Sequence, residues 1–371
     1  MAPPFDVCVR GSGVVGRTLA LLLAGERLRV ALVGQPAASG AAADVRAYAL
    51  NAASRELLEA LRAWPDAAHV TPVAAMQVLG GDGAEVNFST PAPGTQALAW
   101  ITDVAALQDR LDEALRYQPL VTLLQEPQPA ALTVVCEGKA SATRAEFGVQ
   151  FDVTPYPQHA IAARLDCEKT HGRVARQWFG EHGILAFLPL GGADSPSGGN
   201  SVALVWSVPQ DKAPGLLSMS AAQFEEQLEA HSHHALGKLA LSTQRAAWPL
   251  QLARADRWCG PGWVLAGDAA HTVHPLAGQG LNLGLADAQG LAKVLRERQY
   301  WRGIGDVKLL RRYERARKPG VLAMGAATDG LQLLFARQGQ AAGWLRNWGM
   351  RGFERSGPLK DWVARQAAGR L

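Results

Sequence analysis

The chain has 371 residues, enough for one large or two moderate domains around a substantial core. Hydrophobic residues make up 48% and charged residues 19%, as in a soluble globular protein, and no apolar run reaches the roughly 18 to 20 residues that span a bilayer. A net charge of +4, with no Lys/Arg run interleaved with aromatics, gives no reason to expect a nucleic-acid partner; the scattered Cys8, Cys136, Cys167 and Cys259 suit no zinc motif or disulfide framework, only thiols in a reducing cytoplasm.

Phe5 to Val9 reads as a first strand, Arg17 to Ala24 as a helix and Arg29 to Val33 as a second strand. Between strand and helix stands Gly11-Ser12-Gly13-Val14-Val15-Gly16. In such a βαβ unit Gly11 makes the turn, Gly13 admits a pyrophosphate to the backbone, and Gly16 lets helix pack on strand. The apolar stretch after Gly16 is short and belongs to this motif, so no signal peptide is expected. At the end of the second strand, where an acid usually binds the adenosine ribose, the chain has Gly34-Gln35. Gln35 offers a ribose its amide but no charge. Arg10, directly before Gly11, is unusual at the end of a buried strand.

Arg46 precedes Ala47-Tyr48-Ala49-Leu50-Asn51 and a helix from Ser54 to Trp64, and a second amphipathic helix from Thr102 to Arg116 contains Gln108. A strand ending near Val135 then runs into Glu137-Gly138, Ser141 and Arg144. From about 147 to 260 the character changes: 160–165, 173–179, 184–188 and 201–208 are strand-like, 191–200 is a loop by composition, and 221–231 is helical. His231, His233 and His234 make no coherent metal-ligand set on one helix face.

Trp263-Val264-Leu265-Ala266 is strand-like and stops at Gly267-Asp268-Ala269-Ala270-His271. Then come Thr272-Val273-His274-Pro275-Leu276-Ala277-Gly278-Gln279-Gly280-Leu281-Asn282-Leu283-Gly284-Leu285 and a helix with Leu281, Leu285, Ala288, Leu291, Ala292 and Leu295 on one face. Gly278 and Gly280 let another molecule approach the backbone, and the free N–H groups and dipole at the helix start favour negative charge or carbonyl oxygens. By local pattern alone, Asp268 either serves such a ligand or merely holds the turn. A helix from Val307 to Arg317, a break at Lys318-Pro319 and a further helix from Val321 to Phe335 follow. The arginines after Arg296, among them Arg311, Arg312, Arg315 and Arg317, read mostly as a solvated helix surface. The tail, with Trp344, Leu345, Trp348 and Phe353 among arginines, suits either packing on the first domain or an amphipathic surface for lipid headgroups.

The run from Gly267 to Leu285 resembles the second flavin motif of the FAD-dependent aromatic hydroxylases, the class A flavoprotein monooxygenases. Its wording is especially similar to the ubiquinone-biosynthesis hydroxylases, and the resemblance extends over nearly the whole chain. It implies an α/β fold: a Rossmann-like FAD-binding domain from residues 1–146 and 255–330, an interleaved antiparallel-sheet substrate domain at 147–254, and a helical C-terminus at 331–371. It implies FAD held by Gly11, Gly13, Val15, Gly16, Gln35, Arg46, Gln108, Asp268, Pro275, Gly278, Gly280, Leu281 and Asn282, with His271 and His274 shaping the flavin loop. It implies reduction by a transient NAD(P)H, oxygen addition at the flavin C4a, and hydroxylation of an electron-rich, polyprenylated phenol by the hydroperoxide. A quinone-biosynthesis complex and a cytoplasmic site peripheral to the inner membrane go with it. Three departures from the family pattern, Gln35, Glu137 and the short connection from Leu115 to Val134, leave open a rival: a weakened or inactive homologue serving as a scaffold subunit. The short connection suggests a trimmed antiparallel excursion, and the extra methylene of Glu137 suggests a carboxylate pushed into a tight site.

Overall fold

The computed structural model describes residues 4–34, 44–80, 85–89, 97–180, 183–192, 199–273 and 279–336, with side chains through 326. Gln35, His274, Pro275, Gly278 and the tail beyond 336 lie outside the described residues.

β1 (Phe5–Arg10), α1 (Val14–Gly25) and β2 (Val30–Val33) open the chain as a βαβ unit. β3 (Ala47–Leu50), α2 (Ala52–Ala60), β4 (Val70–Val73), β5 (Ala75–Gly80), β6 (Glu85–Ser89) and β7 (Ala99–Asp103) precede α3 (Val104–Arg116). β8 (Val121–Leu124), β9 (Ala130–Val135) and the short α4 (Ala142–Glu146) follow. Then come β10 (Phe151–Cys167), β11 (Val174–Gly180), β12 (Gly183–Leu190) and β13 (Ser201–Pro209), with α5 (Ala213–Ser218), α6 (Ala221–His231), β14 (Leu239–Leu241) and β15 (Ala246–Ala255) after them. The last elements are β16 (Cys259–Gly260), β17 (Trp263–Leu265), β18 (His271–Thr272), α7 (Gln279–Arg296) and α8 (Val307–Ala336).

Three sheets result among the described residues. The first runs β16-β17-β9-β1-β2-β8, parallel from β17 onward. Its inner strands are apolar without alternation, Val7, Cys8 and Val9 in β1 and all four residues of β2 being buried, because both faces are covered. α1, α3, α7 and α8 share one core with Val7, Val9, Val30 and Leu32 through Leu19, Leu23, Leu107, Leu111, Leu285, Leu291 and Tyr313, while Cys8, Ala31 and Val33 turn the other way into a small cluster with Phe5, Leu124 and Ala130. The second sheet runs β18-β15-β10-β13-β12-β11-β5-β6, with β14 on β10. Here period two is visible: Val202, Leu204, Trp206 and Val208 of β13 face Phe224 and Leu228 of α6, while Ala203 turns to the opposite core. That opposite core packs against Val73 and Ile101 of the third sheet, β3-β7-β4.

Tertiary contacts redraw several sequence expectations. The break predicted at Lys318-Pro319 does not occur: α8 is one 30-residue helix with Pro319 inside it. Leu309, Leu310, Tyr313 and Val321 are buried on both sides of the proline, so packing carries the helix past the missing N–H. The short connection from Leu115 to Val134 does lack an antiparallel excursion, as expected: it makes only the edge strand β8 on the way to β9. Finally, β5 and β6, from within the stretch assigned to the first domain, pair in the large sheet, β5 running parallel to β11.

Candidate functional site

β1, β2, β9 and β17 end together at the carboxyl edge of the parallel sheet, Arg10 opposite Val33 and Val135, and Leu265 opposite Val135. The chain winds one way from β1 to β2 and the other way to β9, so the switch point falls between Gly11 and Cys136, where ligands of open α/β sheets bind. Gly11 has φ +113°, and a Cβ there would lie 2.4 Å from the Cys136 carbonyl oxygen, so only glycine fits. A Cβ on Gly16 would meet the Gly11 oxygen at 1.9 Å, the contact that lets α1 sit down on the turn. At Gly13 the same construction meets nothing within 4 Å. Gly13 is also the N-cap of α1 and provides no side-chain cap. The start of α1, with no side-chain cap and the positive end of the dipole, therefore borders open space at Gly13, and a diphosphate fits both.

Gly34 explains why no acid stands at the end of β2 itself. A Cβ on it would lie 1.8 Å from the Ser12 hydroxyl oxygen.

Across the switch point, the turn at 267–269 follows β17, its start fixed by the Ala266 N–H donating to the Val135 carbonyl at 3.0 Å and its close by the Ala270 N–H donating to the Gly267 carbonyl at 2.8 Å. Asp268 projects from it, half-buried, and accepts no hydrogen bond from another described residue. Burial pushes its carboxyl above the usual carboxylate range, and Lys139, His271 and Arg46 pull part of the way back. Hydroxyl donors would satisfy such a group. Arg46 is near enough for its charge to be felt at Asp268, and it is held by Asp44, Nη2 to Oδ2 at 2.6 Å. Gln108 is half-buried on α3, one turn ahead of Asp112, which pairs with Arg17 of α1 at 2.8 Å.

The start of α7 completes the edge. The Cβ position of Gly280 is open, and Leu281 packs partly against the core of the first layer. Two of the expected site residues have side chains engaged within the chain. Asn282 has no side-chain capacity left for a cofactor: its Oδ1 accepts from the Asn51 N–H (3.0 Å) and the Ser54 hydroxyl (2.8 Å), and its Nδ2 donates to the Ala49 carbonyl (2.8 Å) and Gln279 Oε1 (3.3 Å). It clamps α7 to β3 and α2, leaving only its backbone for a ligand. Val15 is likewise spent as a wedge, since a Cβ on Gly284 would meet its Cγ2 at 2.7 Å and one on Gly267 would meet both methyls at 3.5 Å.

Glu137 is not crowded. It accepts from Arg10 Nε at 3.1 Å, from the Ser141 hydroxyl at 2.7 Å and from the Thr143 hydroxyl at 2.6 Å, so the two oddities of the sequence, Arg10 and Glu137, are partners. Despite burial, Ser141, Thr143 and Arg10 hold its carboxyl below the usual range. Arg144, buried beneath, donates to the Ala269 and Lys139 carbonyls at 3.2 and 2.8 Å and so ties this segment to the turn bearing Asp268.

Sequence reasoning missed Asn51 and Ser54 as clamp residues and passed over Asp287, while counting Arg317 with the solvated surface. A signal for Asp287 was present: it lies one turn from Leu283 and Leu291, on the buried stripe of α7, where an unpaired acid has no place.

A family model described as an FAD binding domain matches residues 123–328. The chain is 30% identical to ubiquinone hydroxylase UbiL of Rhodospirillum rubrum, over 99% of this chain and 90% of that protein. It is also 30% identical to 3-demethoxyubiquinol 3-hydroxylase of Escherichia coli, over 99% of each chain. Among solved structures, p-nitrophenol 4-monooxygenase PnpA of Pseudomonas putida shares the fold with a TM-score of 0.76 at 18% identity, over 99% of this chain and 98% of that one.

Proposed function

The chain belongs to the FAD-dependent aromatic hydroxylases, and from that premise we propose that it hydroxylates the ring of a prenylated phenol on the route to ubiquinone. The observation that carries this reading is the meeting, at one sheet edge, of a helix start without a side-chain cap over open Gly13 and the carboxylate of Asp268, which accepts no hydrogen bond from another described residue. Bound FAD supplies oxygen activation with electrons from NAD(P)H. The chain supplies the rest. The α1 start and Gly11, Gly13 and Gly16 hold the pyrophosphate, Asp268 accepts from ribityl hydroxyls, and the α7 start from Gly280 to Asn282 turns backbone N–H groups toward the pyrimidine edge, where reduction places negative charge. Gln35, Arg46, Gln108, Pro275 and Gly278 are assigned to the same cofactor. The scaffold alternative loses one of its three motives, because Glu137 is fully engaged by Arg10, Ser141 and Thr143.

The test is a visible spectrum of the purified chain, followed by NAD(P)H oxidation with and without a prenylated phenol. We expect bound flavin, and a hydroxylated product formed in step with the phenol-stimulated oxidation. Absence of flavin, or oxidation that never yields product, would sink the reading. Within it, Asp268→Ala should weaken FAD binding by about tenfold to a hundredfold, the loss of a charge-assisted hydrogen bond or two.

A polyprenylated substrate partitions into lipid, so peripheral contact with a membrane, and association with other proteins of quinone biosynthesis, belong to the same proposal. No helix among the described residues is long and apolar enough to cross a bilayer. Tyr300 and Trp301, 93% and 65% exposed with rings 4.8 Å apart, lie between exposed Lys293 and Arg296 at the end of α7 and exposed Lys308 at the start of α8. Aromatic rings flanked by cations suit an anionic headgroup layer. Trp301→Ser should reduce flotation with phosphatidylglycerol vesicles; unchanged flotation would remove this loop from the proposal.

A further inference from the structure

The turn bearing Asp268 and the distant helix α8 meet on one buried carboxylate. Asp287, two turns into α7, is fully buried. Its Oδ2 accepts from the Gly267 N–H at 3.1 Å and from His271 Nε2 at 2.6 Å. Its Oδ1 accepts from Arg317 Nε at 2.8 Å. Arg317 reaches across from α8 and also donates to the Leu283 carbonyl at 3.2 Å. His271, buried itself, stacks on Trp258 with rings 5.1 Å apart. Tyr313 of α8, beside Trp258, donates its hydroxyl to the Leu265 carbonyl at 3.1 Å. The chain is therefore tied to Asp287 one residue before Asp268 and three residues after it.

Physical chemistry makes this a strong tie. An isolated carboxylate would not stay charged at such a place, and burial pushes Asp287 up, yet His271 and Arg317 more than offset burial and hold it below the usual carboxylate range. Hydrogen bonds to an ionised group are short and about twice as strong as neutral ones. The tie also points at the site. Gly284, one turn ahead of Asp287, and Gly267, which Asp287 holds directly, both pack on Val15 inside the glycine motif. A shift of the turn or of α7 is thus felt at the first turn of α1.

Resting on the cofactor reading above, we propose that Asp287, with His271 and Arg317, is the positioning centre of the FAD site: it sets the turn at 267–271 and the start of α7 at the separation from α1 at which one FAD is held by all three. None of the three residues need touch the cofactor. Arg317 gives the clean probe, because it is partly exposed and its loss leaves the charge of Asp287 without its fixed counterion, whereas Asp287→Asn turns an amide N–H₂ toward two donors in a closed space.

The experiment measures the FAD dissociation constant of flavin-stripped protein by quenching of flavin fluorescence, at a temperature where circular dichroism shows each variant folded. Arg317→Gln and Asp287→Asn should weaken FAD binding by about tenfold or more, the effect of a buried charged partner left unpaired. Arg317→Lys, which keeps the charge, should recover to within a few-fold of the parent chain. A folded Arg317→Gln protein with the parent dissociation constant would overturn the proposal, however far its melting temperature falls, since that result leaves the cluster a role in stability alone. Should Asp287→Asn not fold, the two Arg317 variants decide. A parent chain that takes up no FAD would overturn the cofactor reading itself, which separates the two failures.

Discussion

Glu137 shows how a departure at one residue is answered at another. Its carboxylate collects Arg10, Ser141 and Thr143, and Arg10 lies at the end of β1, 127 positions away in sequence. Replacing it with alanine strands two hydroxyls and leaves the Arg10 guanidinium only the more exposed Glu146, at 3.2 Å. Glu137→Ala should lower stability by about 1–3 kcal/mol, read from the urea midpoint; a shift within error would mean water satisfies these donors equally well. Asp287 carries a pH prediction of definite sign. Its carboxyl is held below the usual carboxylate value in the folded chain. Its contribution is therefore complete above the ordinary aspartate pKa of about 4 and disappears as pH falls through the lower, folded value. Asp268, raised by burial, works the other way: the flavin-free chain gains from its protonation at low pH and loses that gain as pH rises through its folded value. Between pH 5 and 3, Asp287→Asn should lose less of its denaturant midpoint than the parent chain. Parallel losses would show that other groups govern acid unfolding.

At the scale of elements, α8 is the clearest case of packing overruling local preference. Pro319 removes one i to i−4 hydrogen bond and crowds the carbonyl a turn before it, yet the helix continues because Tyr313 and Val321 are buried on either side. Pro319 is itself exposed. Pro319→Ala restores the bond at no cost in packing and should raise stability by about 1–3 kcal/mol, somewhat less than the full helix-interior penalty because the unfolded chain also gains freedom. A denaturant midpoint that stays put or falls would show that Pro319 costs this helix nothing where it stands. The 17-residue β10 likewise outruns the strand expected at 160–165: it begins at Phe151, and the register shift between Pro155 and His159 lets it run along β15 past both prolines.

At the scale of the molecule, the layers are sewn together. β5 and β6 enter the large sheet from between α2 and α3, and Arg164 of β10 reaches Asp103 at the end of β7 at 2.8 Å. We expect one cooperative unfolding transition, with far-ultraviolet circular dichroism and tryptophan emission coinciding; two separated transitions would show that the sheets fold as independent units. What the sequence alone determined was local or ordered along the chain. The βαβ opening and its glycine spacing, the turn at Gly267, the buried stripe of α7 and the alternating strands after 147 are all set by neighbours within a few residues, so periodicity and turn chemistry reveal them. What only the tertiary structure decided depends on partners distant in sequence: Asn282 spent on Ala49, Asn51 and Ser54, Val15 filling the space beside Gly284, Arg10 meeting Glu137, and Arg317 crossing to Asp287. A side chain has a fixed hydrogen-bonding capacity and a fixed volume, and sequence spacing cannot say which distant group will use them.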